Sequence, residues 1–155
     1  MEQGTVEQIS VSGGGVPKLP IEVAEVGHEG VLGDDHHDKV NHGGPDRALC
    51  LFSLELIGIV RSEGHPIVPG SAGENLTVSG LDWSTVVPGK RYRAGEVELQ
   101  ITSYTTPCKN IAGSFMDGEF NRISPRLRIK ESRVYARVLK PGVIRRGDPI
   151  AEIAD

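Results

Sequence analysis

This chain has few cysteines, few aromatic residues, no long apolar run and no excess of positive charge. Its two cysteines among 155 residues, Cys50 and Cys108, lie in unlike settings, which is not the pattern of a disulfide-stapled secreted domain. We therefore expect the protein to be located in a reducing cytoplasm. No run of about 18 apolar residues exists, and the N-terminus lacks a basic and then apolar stretch, so neither a membrane span nor a signal peptide is expected. A net charge of -4 gives no electrostatic basis for binding nucleic acid.

Turn-forming residues, in contrast, are abundant. The 20 glycines and 10 prolines indicate many short strands joined by turns, and the length fits a single domain over residues 1–155. Residues 88–99 and 141–150 share one pattern: a Pro-Gly turn, a short basic strand, a Gly-acid turn and another strand. This pattern predicts two similar hairpins. The predicted fold is mainly β, a closed or nearly closed antiparallel β-barrel with a few short α-helices, because closure removes exposed strand edges.

Local patterns also predict individual elements. Ser53 is a favourable N-cap residue, apolar residues follow at helical spacing and Gly64 ends the run, which predicts an amphipathic helix. Strands are predicted where apolar residues alternate or cluster, at 6–11, 21–26, 47–52, 73–78 and 134–138.

Cys108 follows a strand predicted at 97–104, where a helix is expected to begin. Thr106 is a suitable N-cap residue and Pro107 is tolerated at the first helical position. Cys108 would then lie in the first helical turn, where the helix dipole and the neighbouring Lys109 favour a thiolate. A cysteine in this position is a candidate reaction centre.

The alternative is that Cys108 is a buried thiol that behaves as a small apolar side chain. Cys50 is the useful contrast, because it lies within an apolar run, Ala48 to Phe52, with no positive neighbour closer than Arg47. For Cys50 we predict an inert core position.

Residues 33–47 contain three of the five histidines, His36, His37 and His42, together with four aspartates. Imidazole and carboxylate are common ligands of zinc and related metals, so one interpretation is a zinc-type metal site. The adjacent pair of histidines does not match the usual ligand spacing. The alternatives are a solvated loop with turn-capping aspartates, or a loop that lines a substrate site.

The stretch 121–133 carries five basic residues on a chain that is acidic overall. Arginines suit bidentate contact with a phosphate or another anion. The alternative is an exposed amphipathic strand with Leu127 and Ile129 facing inward.

Three motifs together resemble one family, the MOSC domain, named for the C-terminal domain of molybdenum cofactor sulfurases. They are NHGGPDRA at 41–48, GENLTVSG at 73–80 and TSYTTPCKN at 102–110. The resemblance implies a β-rich barrel and a reactive cysteine at Cys108. It further implies that this cysteine either carries sulfur as a persulfide or ligates molybdenum in a bound cofactor.

Each of these two roles implies particular partners. A sulfur carrier would receive sulfur from a pyridoxal-phosphate cysteine desulfurase, with the pyridoxal phosphate on the partner and not on this chain, and would serve a molybdoenzyme. A cofactor-binding member could be a molybdenum-dependent reductase of N-hydroxylated compounds. No nucleic-acid or membrane partner is expected. A third hypothesis is a non-catalytic scaffold, for which Cys108→Ser would leave function intact.

If the molybdenum cofactor is bound, Cys108 is the metal ligand implied by the resemblance. Arginines would hold the cofactor phosphate, and the residues of the other two motifs would fix the pterin. The cofactor-binding residues expected on this basis are His42, Asp46, Arg47, Glu74, Asn75, Lys109, Asn110, Arg122, Arg126 and Arg128.

Overall fold

The computed structural model describes residues 2–12, 17–34 and 44–154. Within these ranges the chain forms strands joined by turns, one α-helix, α1 (Leu54–Ser62), and several short 3₁₀ helices. The strands are β1 (Gln3–Val11), β2 (Leu19–Ile21), β3 (Val23–Gly27), β4 (Gly30–Val31), β5 (Leu49–Ser53), β6 (Leu76–Ser79), β7 (Arg91–Ala94), β8 (Val97–Tyr104), β9 (Val134–Lys140), β10 (Gly142–Arg145) and β11 (Pro149–Glu152).

Seven strands close into a barrel in the order β1-β11-β7-β8-β9-β5-β6, and β6 pairs back onto β1. β2 extends the sheet along β1. All pairs are antiparallel except β5 with β6, which are parallel and are connected through α1. The predicted mainly β barrel is confirmed, and the parallel pair is the one departure from the expected antiparallel pattern.

A second, three-stranded sheet lies beside the barrel in the order β10-β3-β4. Here two predictions are wrong. β7 and β8 form a hairpin as expected, but β10 pairs with β3 and β11 pairs with β7 and β1, so 141–150 is not a hairpin. The single strand predicted at 21–26 is two strands, β2 and β3, that belong to different sheets.

The α1 helix forms where the sequence predicts it. The Ser53 hydroxyl accepts a hydrogen bond from the amide of Leu56 at 3.2 Å and so caps the helix. Leu56, Ile57 and Val60 are buried against the barrel. Within the described ranges no helix is long and apolar enough to cross a membrane.

The two faces of the β5–β9 ladder differ in chemistry. Leu49 pairs with Ala136 and Leu51 pairs with Val134, and all four side chains belong to the hydrophobic core. Because side chains alternate across a strand, Cys50 and its partner Tyr135 project from the opposite, outer face. This outer face is where the candidate site lies.

The connection between β8 and β9 contains only turns and 3₁₀ helices, at Lys109–Ser114, Met116–Gly118, Phe120–Ile123 and Ile129–Glu131. The α-helix predicted after Pro107 is therefore wrong. Asp117 (φ 56) and Gly118 (φ 69) adopt left-handed backbone conformations that cannot continue an α-helix. The amphipathic strand considered for Leu127 and Ile129 is also wrong, since both side chains are exposed and neither lies in a strand.

Candidate functional site

Cys108 has an extended backbone (φ -134, ψ 172) and lies directly before the 3₁₀ helix Lys109–Ser114. Its carbonyl accepts the first hydrogen bond of that helix, from the Ile111 amide at 3.1 Å. The predicted position in the first turn of an α-helix is therefore wrong. Pro107 is buried, whereas Cys108 is half-buried, so the backbone is anchored while the thiol keeps access to solvent.

Tyr135 is the centre of a cluster of charged and thiol side chains. It pairs with Cys50 on one neighbouring strand and with Ser103 on the other, and the guanidinium carbon of Arg47 lies 5.6 Å from its ring centroid. Burial raises the pKa of the Tyr135 phenol, Cys50 and Cys108 raise it further, and Arg133 and Arg47 oppose the rise. We call Arg47, Cys50, Cys108, Arg133 and Tyr135 the Tyr135 cluster.

Cys50 lies on the face of β5 opposite to Leu49 and Leu51, and it is only 6% exposed, so the predicted buried position is confirmed. Its sulfur lies 3.7 Å from the hydroxyl oxygen of Thr105. Burial raises the pKa of the Cys50 thiol, while Arg133 and the Thr105 hydroxyl oppose that rise. Burial thus favours the protonated thiol of Cys50.

Two buried polar atoms beside this cluster have no hydrogen-bond partner. Arg133 donates from Nη1 to the Ala72 carbonyl at 2.6 Å, but its Nε is unpartnered. Glu74 accepts from the Thr77 hydroxyl at 2.9 Å through Oε2, but its Oε1 is unpartnered. Such atoms are rare in folded proteins and commonly mark the place of a bound water or ion.

Glu74 also provides a test of the electrostatics behind the cluster. Burial raises the pKa of its carboxyl above the usual value of 4.5. The folded state therefore favours the protonated acid. The stability that the protonated Glu74 contributes is fully present below pH 4.5, its usual pKa, and is lost as pH rises through the raised pKa.

We expect Glu74→Gln to flatten this dependence, because glutamine does not ionise. The variant should gain stability relative to wild type with rising pH, by up to about 1.4 kcal/mol per pH unit over the interval between the two pKa values. Urea denaturation across about pH 5 to 8 measures the difference. Parallel profiles for the two proteins would show that Glu74 ionises freely.

Asn75, in contrast, has its side-chain groups occupied by the protein. Its Oδ1 accepts from the Cys50 amide at 3.0 Å, and its Nδ2 donates to the Ser10 carbonyl at 3.2 Å and to Asp34 Oδ2 at 2.7 Å. The structure therefore gives Asn75 a clear role in joining strands. Its predicted contact with a cofactor stays a prediction.

Asp46 and Arg47 belong to a 3₁₀ helix, Pro45–Arg47, that lies over β8 and β9. The Asp46 carbonyl accepts from the Thr102 hydroxyl at 2.5 Å, and its carboxylate lies 3.2 Å from Nε of Arg137. These contacts hold the segment against the outer face of the barrel and bring Arg47 to Tyr135. The described part of the NHGGPDRA motif, residues 44–48, thus lies against β8 and β9 near the TSYTTPCKN motif.

The three arginines predicted to bind phosphate are not equivalent. Arg122 makes two hydrogen bonds to Glu63, at 2.6 and 2.9 Å, and an ion pair with Glu131 at 2.9 Å. These contacts raise the pKa of Arg122, with the Glu63 hydrogen bonds as the main cause. Arg126 and Arg128 are exposed, and no contact among the described residues joins them to the Tyr135 cluster.

Of the remaining residues predicted to bind a cofactor or metal, two are described and three are not. Lys109 and Asn110 follow Cys108 and are exposed. His36, His37 and His42 lie outside the described residues, so the proposed zinc-type site stays a prediction. Elsewhere in the described ranges, no group of three or more histidine, cysteine, aspartate or glutamate side chains is arranged to hold a metal ion.

Sequence reasoning missed Tyr135 and Arg133. A signal for Tyr135 was present, because Val134, Ala136 and Val138 alternate and so place the intervening residue on the opposite face. No local signal shows that Arg133 is buried beside Cys50 and Glu74, since that depends on pairing between distant strands.

Comparison with known proteins finds a matching family and several similar chains. The family model of the MOSC domain matches residues 38–151. The uncharacterized protein YflK of Bacillus subtilis (strain 168) is 35% identical over 103 residues, which cover 65% of this chain and 47% of that protein. Protein YiiM of Escherichia coli (strain K12) is 37% identical over 83 residues, which cover 51% of this chain and 37% of that protein. The aligned regions thus span less than half of either relative.

Solved structures share the fold. YiiM from Geobacillus stearothermophilus has a TM-score of 0.73 at 25% identity, covering 97% of this chain and 75% of that one. The YUAD protein from Bacillus subtilis also has a TM-score of 0.73, at 18% identity, covering 99% of this chain and 97% of that one. The second similarity concerns the fold alone.

Proposed function

Because the chain belongs to the MOSC domain family, we propose that it binds a molybdenum cofactor through the thiolate of Cys108. The observation that carries this proposal is the position of Cys108, a half-buried thiol within electrostatic reach of Tyr135, which Arg47 and Arg133 also influence. A thiolate is a soft metal ligand. Guanidinium groups pair well with phosphate.

The residues present fit such a group. Arg133 Nε is a buried donor without an acceptor, which suits an anionic ligand bound nearby. Arg47 is held over the Tyr135 ring by a cation–π contact that fixes its guanidinium beside the cluster. Lys109 adds a further positive charge next to Cys108 along the chain. A thiol donor, two arginines and a lysine match the charge of a pterin cofactor.

The chain's own residues would act by holding and orienting. Cys108 would supply the metal ligand from a backbone anchored at the buried Pro107. Arg47 and Arg133 would balance negative charge, and Cys50, kept protonated by burial, would not compete for the metal. When bound, the cofactor supplies a redox-active molybdenum centre of the kind required to reduce N-hydroxylated compounds.

A second candidate function, sulfur carriage, is favoured by a different observation. Glu74 is fully buried and the Asn75 side chain is occupied by protein groups, so their predicted contacts with a cofactor would require rearrangement. A carrier requires only the accessible thiol of Cys108. Both functions also require that thiol to stay reduced, which a cytoplasmic location would provide.

In sulfur carriage, the Cys108 thiolate would attack the outer sulfur of a persulfide on a pyridoxal-phosphate cysteine desulfurase. A bond would form between Cys108 Sγ and that sulfur, the donor's S–S bond would break, and the donor would leave as a thiolate. A thiolate of the acceptor molybdoenzyme would then attack the outer sulfur of the Cys108 persulfide, the S–S bond would break, and Cys108 would leave as a thiolate.

One experiment tests both functions. Wild type, Cys108→Ser and the control Cys50→Ala are incubated with isolated molybdenum cofactor and separately with a cysteine desulfurase and cysteine. We expect molybdenum to remain with wild type and Cys50→Ala after gel filtration and to be lost from Cys108→Ser, because serine oxygen is a poor soft-metal ligand. Metal analysis and mass spectrometry of Cys108 provide the measurements.

The other outcomes are equally informative. No molybdenum on any variant, together with a gain of one sulfur atom on Cys108 in wild type, would replace cofactor binding by sulfur carriage. Retention of molybdenum by Cys108→Ser would overturn the assigned ligand. If neither molybdenum nor sulfur is acquired, the scaffold hypothesis remains.

A further inference from the structure

Residues 126–130, Arg-Leu-Arg-Ile-Lys, form an exposed segment on the connection between β8 and β9. All five residues are exposed, including Leu127 at 65% and Ile129 at 52%. In the described part of the chain, no ion pair or side-chain hydrogen bond occupies Arg126, Arg128 or Lys130. The segment therefore presents three unpaired cations and two large apolar side chains to solvent.

The exposure of this segment is fixed by its backbone. The amides of Leu127 and Arg128 both donate to the Ser124 carbonyl, at 3.1 and 3.0 Å, and the Glu131 amide donates to the Arg128 carbonyl at 3.0 Å. Where the segment ends, the Trp83 indole donates to the Ser132 carbonyl at 2.8 Å. A surface that is already ordered loses less conformational entropy on binding.

Arg122 holds the C-terminal end of the segment against the end of α1. It joins Glu63, just beyond α1, to Glu131, just beyond the exposed residues. Arg122 therefore offsets one of the two negative charges of Glu63 and Glu131. The positive charge of Arg126, Arg128 and Lys130 is left available to an outside partner, on a chain whose net charge is -4.

We propose that residues 126–130 are a docking surface for a protein partner that presents acidic side chains around an apolar patch. Arginine is enriched in protein interfaces, and the two exposed apolar side chains beside it offer surface that a partner can bury. Charge complementarity assigns the acidic side chains to the partner.

A protein fits this surface better than a membrane does. Binding at a lipid interface depends on an amphipathic helix with a broad apolar face. Here the apolar contribution is two side chains on turns and one 3₁₀ turn, Ile129–Glu131.

The docking surface shares a connection with Cys108. The Thr105 amide donates to the Arg133 carbonyl at 2.9 Å and closes that connection at the barrel wall. Its 3₁₀ helices Lys109–Ser114 and Phe120–Ile123 contact each other. The docking surface and Cys108 thus belong to one connection, and the proposal holds whether Cys108 binds molybdenum or carries sulfur.

The test uses the full chain and three probes. The first is a fluorescent peptide of glutamates flanking two leucines, the second is the same peptide with serines in place of the leucines, and the third is a vesicle of phosphatidylserine and phosphatidylcholine. The variants are the double charge reversal Arg126→Glu with Arg128→Glu, and the double change Leu127→Ser with Ile129→Ser. The matched control is Arg145→Glu, an exposed cation on β10.

We expect saturable binding of the leucine peptide that weakens about tenfold or more on charge reversal, because each cation faces an acidic group. The Leu127 and Ile129 change should weaken it several-fold, and the control should change it by less than about twofold. Thermal unfolding and molybdenum retention, measured on the same variants, separate docking from folding and from the role of Cys108.

Four results would overturn the proposal. They are absence of peptide binding, equal binding of the serine peptide, vesicle binding stronger than peptide binding, and loss of molybdenum on charge reversal with peptide binding unchanged. The last would return Arg126 and Arg128 to the phosphate-binding role implied by the family resemblance.

Discussion

Replacing Asn75 by alanine is expected to lower the free energy of unfolding by about 3–5 kcal/mol. The side chain lies at the start of β6, between β5 and β1, and satisfies the Cys50 amide, the Ser10 carbonyl and Asp34. Alanine would leave the first two buried without partners, at about 1–3 kcal/mol each, and would remove a donor from a buried carboxylate. A loss of this size is a large part of the 5–15 kcal/mol typical of a domain.

Urea denaturation of wild type and Asn75→Ala measures this loss. Asn110→Ala is the matched control, because Asn110 is exposed on a 3₁₀ helix and its loss should change stability by no more than about 0.5 kcal/mol. A difference below about 1 kcal/mol for Asn75→Ala would show that water replaces the amide at little cost. Asn75 would then be free for the cofactor contact that the sequence motif implies.

Elements with a strong local pattern were predicted well. The β1 strand alternates and α1 has an N-cap serine with apolar residues at helical spacing, so each is determined by neighbouring residues. The β7–β8 hairpin likewise depends on a short turn. Its sequence counterpart at 141–150 is not a hairpin, because β10 pairs with β3, more than a hundred residues earlier. Such long-range pairing leaves no mark in a local pattern.

The candidate site was predictable in part. Cys108 was singled out from its position between a predicted strand and an expected helix start, and it is the more exposed of the two thiols. Its expected α-helix is wrong, because the residues after Cys108 form a 3₁₀ helix that ends before Phe115, whose backbone is extended (φ -130, ψ 142). Cys50 was predicted to be buried because its neighbours Leu49 and Leu51 are apolar, and it is buried. The alternation of side chains along β5 places it on the opposite face from them, beside Tyr135.

Lys18 and Asp34 form a buried ion pair at 2.5 Å, with side chains exposed by only 6% and 2%. Asp34 also accepts from the Ser12 amide and from Asn75, so it joins the stretch after β4 to β1 and β6. We expect Lys18→Met to lower the free energy of unfolding by about 3–5 kcal/mol, because it removes a buried cation that pairs with the buried Asp34 carboxylate.

The double variant Lys18→Met with Asp34→Leu should recover part of that loss, since it removes both buried charges, although the Ser12 amide and Asn75 would lose an acceptor. Urea denaturation at low and high salt provides the measurement. The stability that the buried pair contributes should change little with salt, because ions do not penetrate between its partners.

Arg146→Met is the matched control. Arg146 pairs with Glu22 at 3.4 Å on the exposed surface, where a pair contributes about 0–1 kcal/mol and is screened by salt. Equal, salt-sensitive losses for Lys18→Met and Arg146→Met would show that water reaches the Lys18–Asp34 pair. A large, salt-independent loss for Lys18→Met alone would show that this buried pair stabilises the fold. Through Asp34, the pair is linked to Asn75 and to the Cys50 backbone.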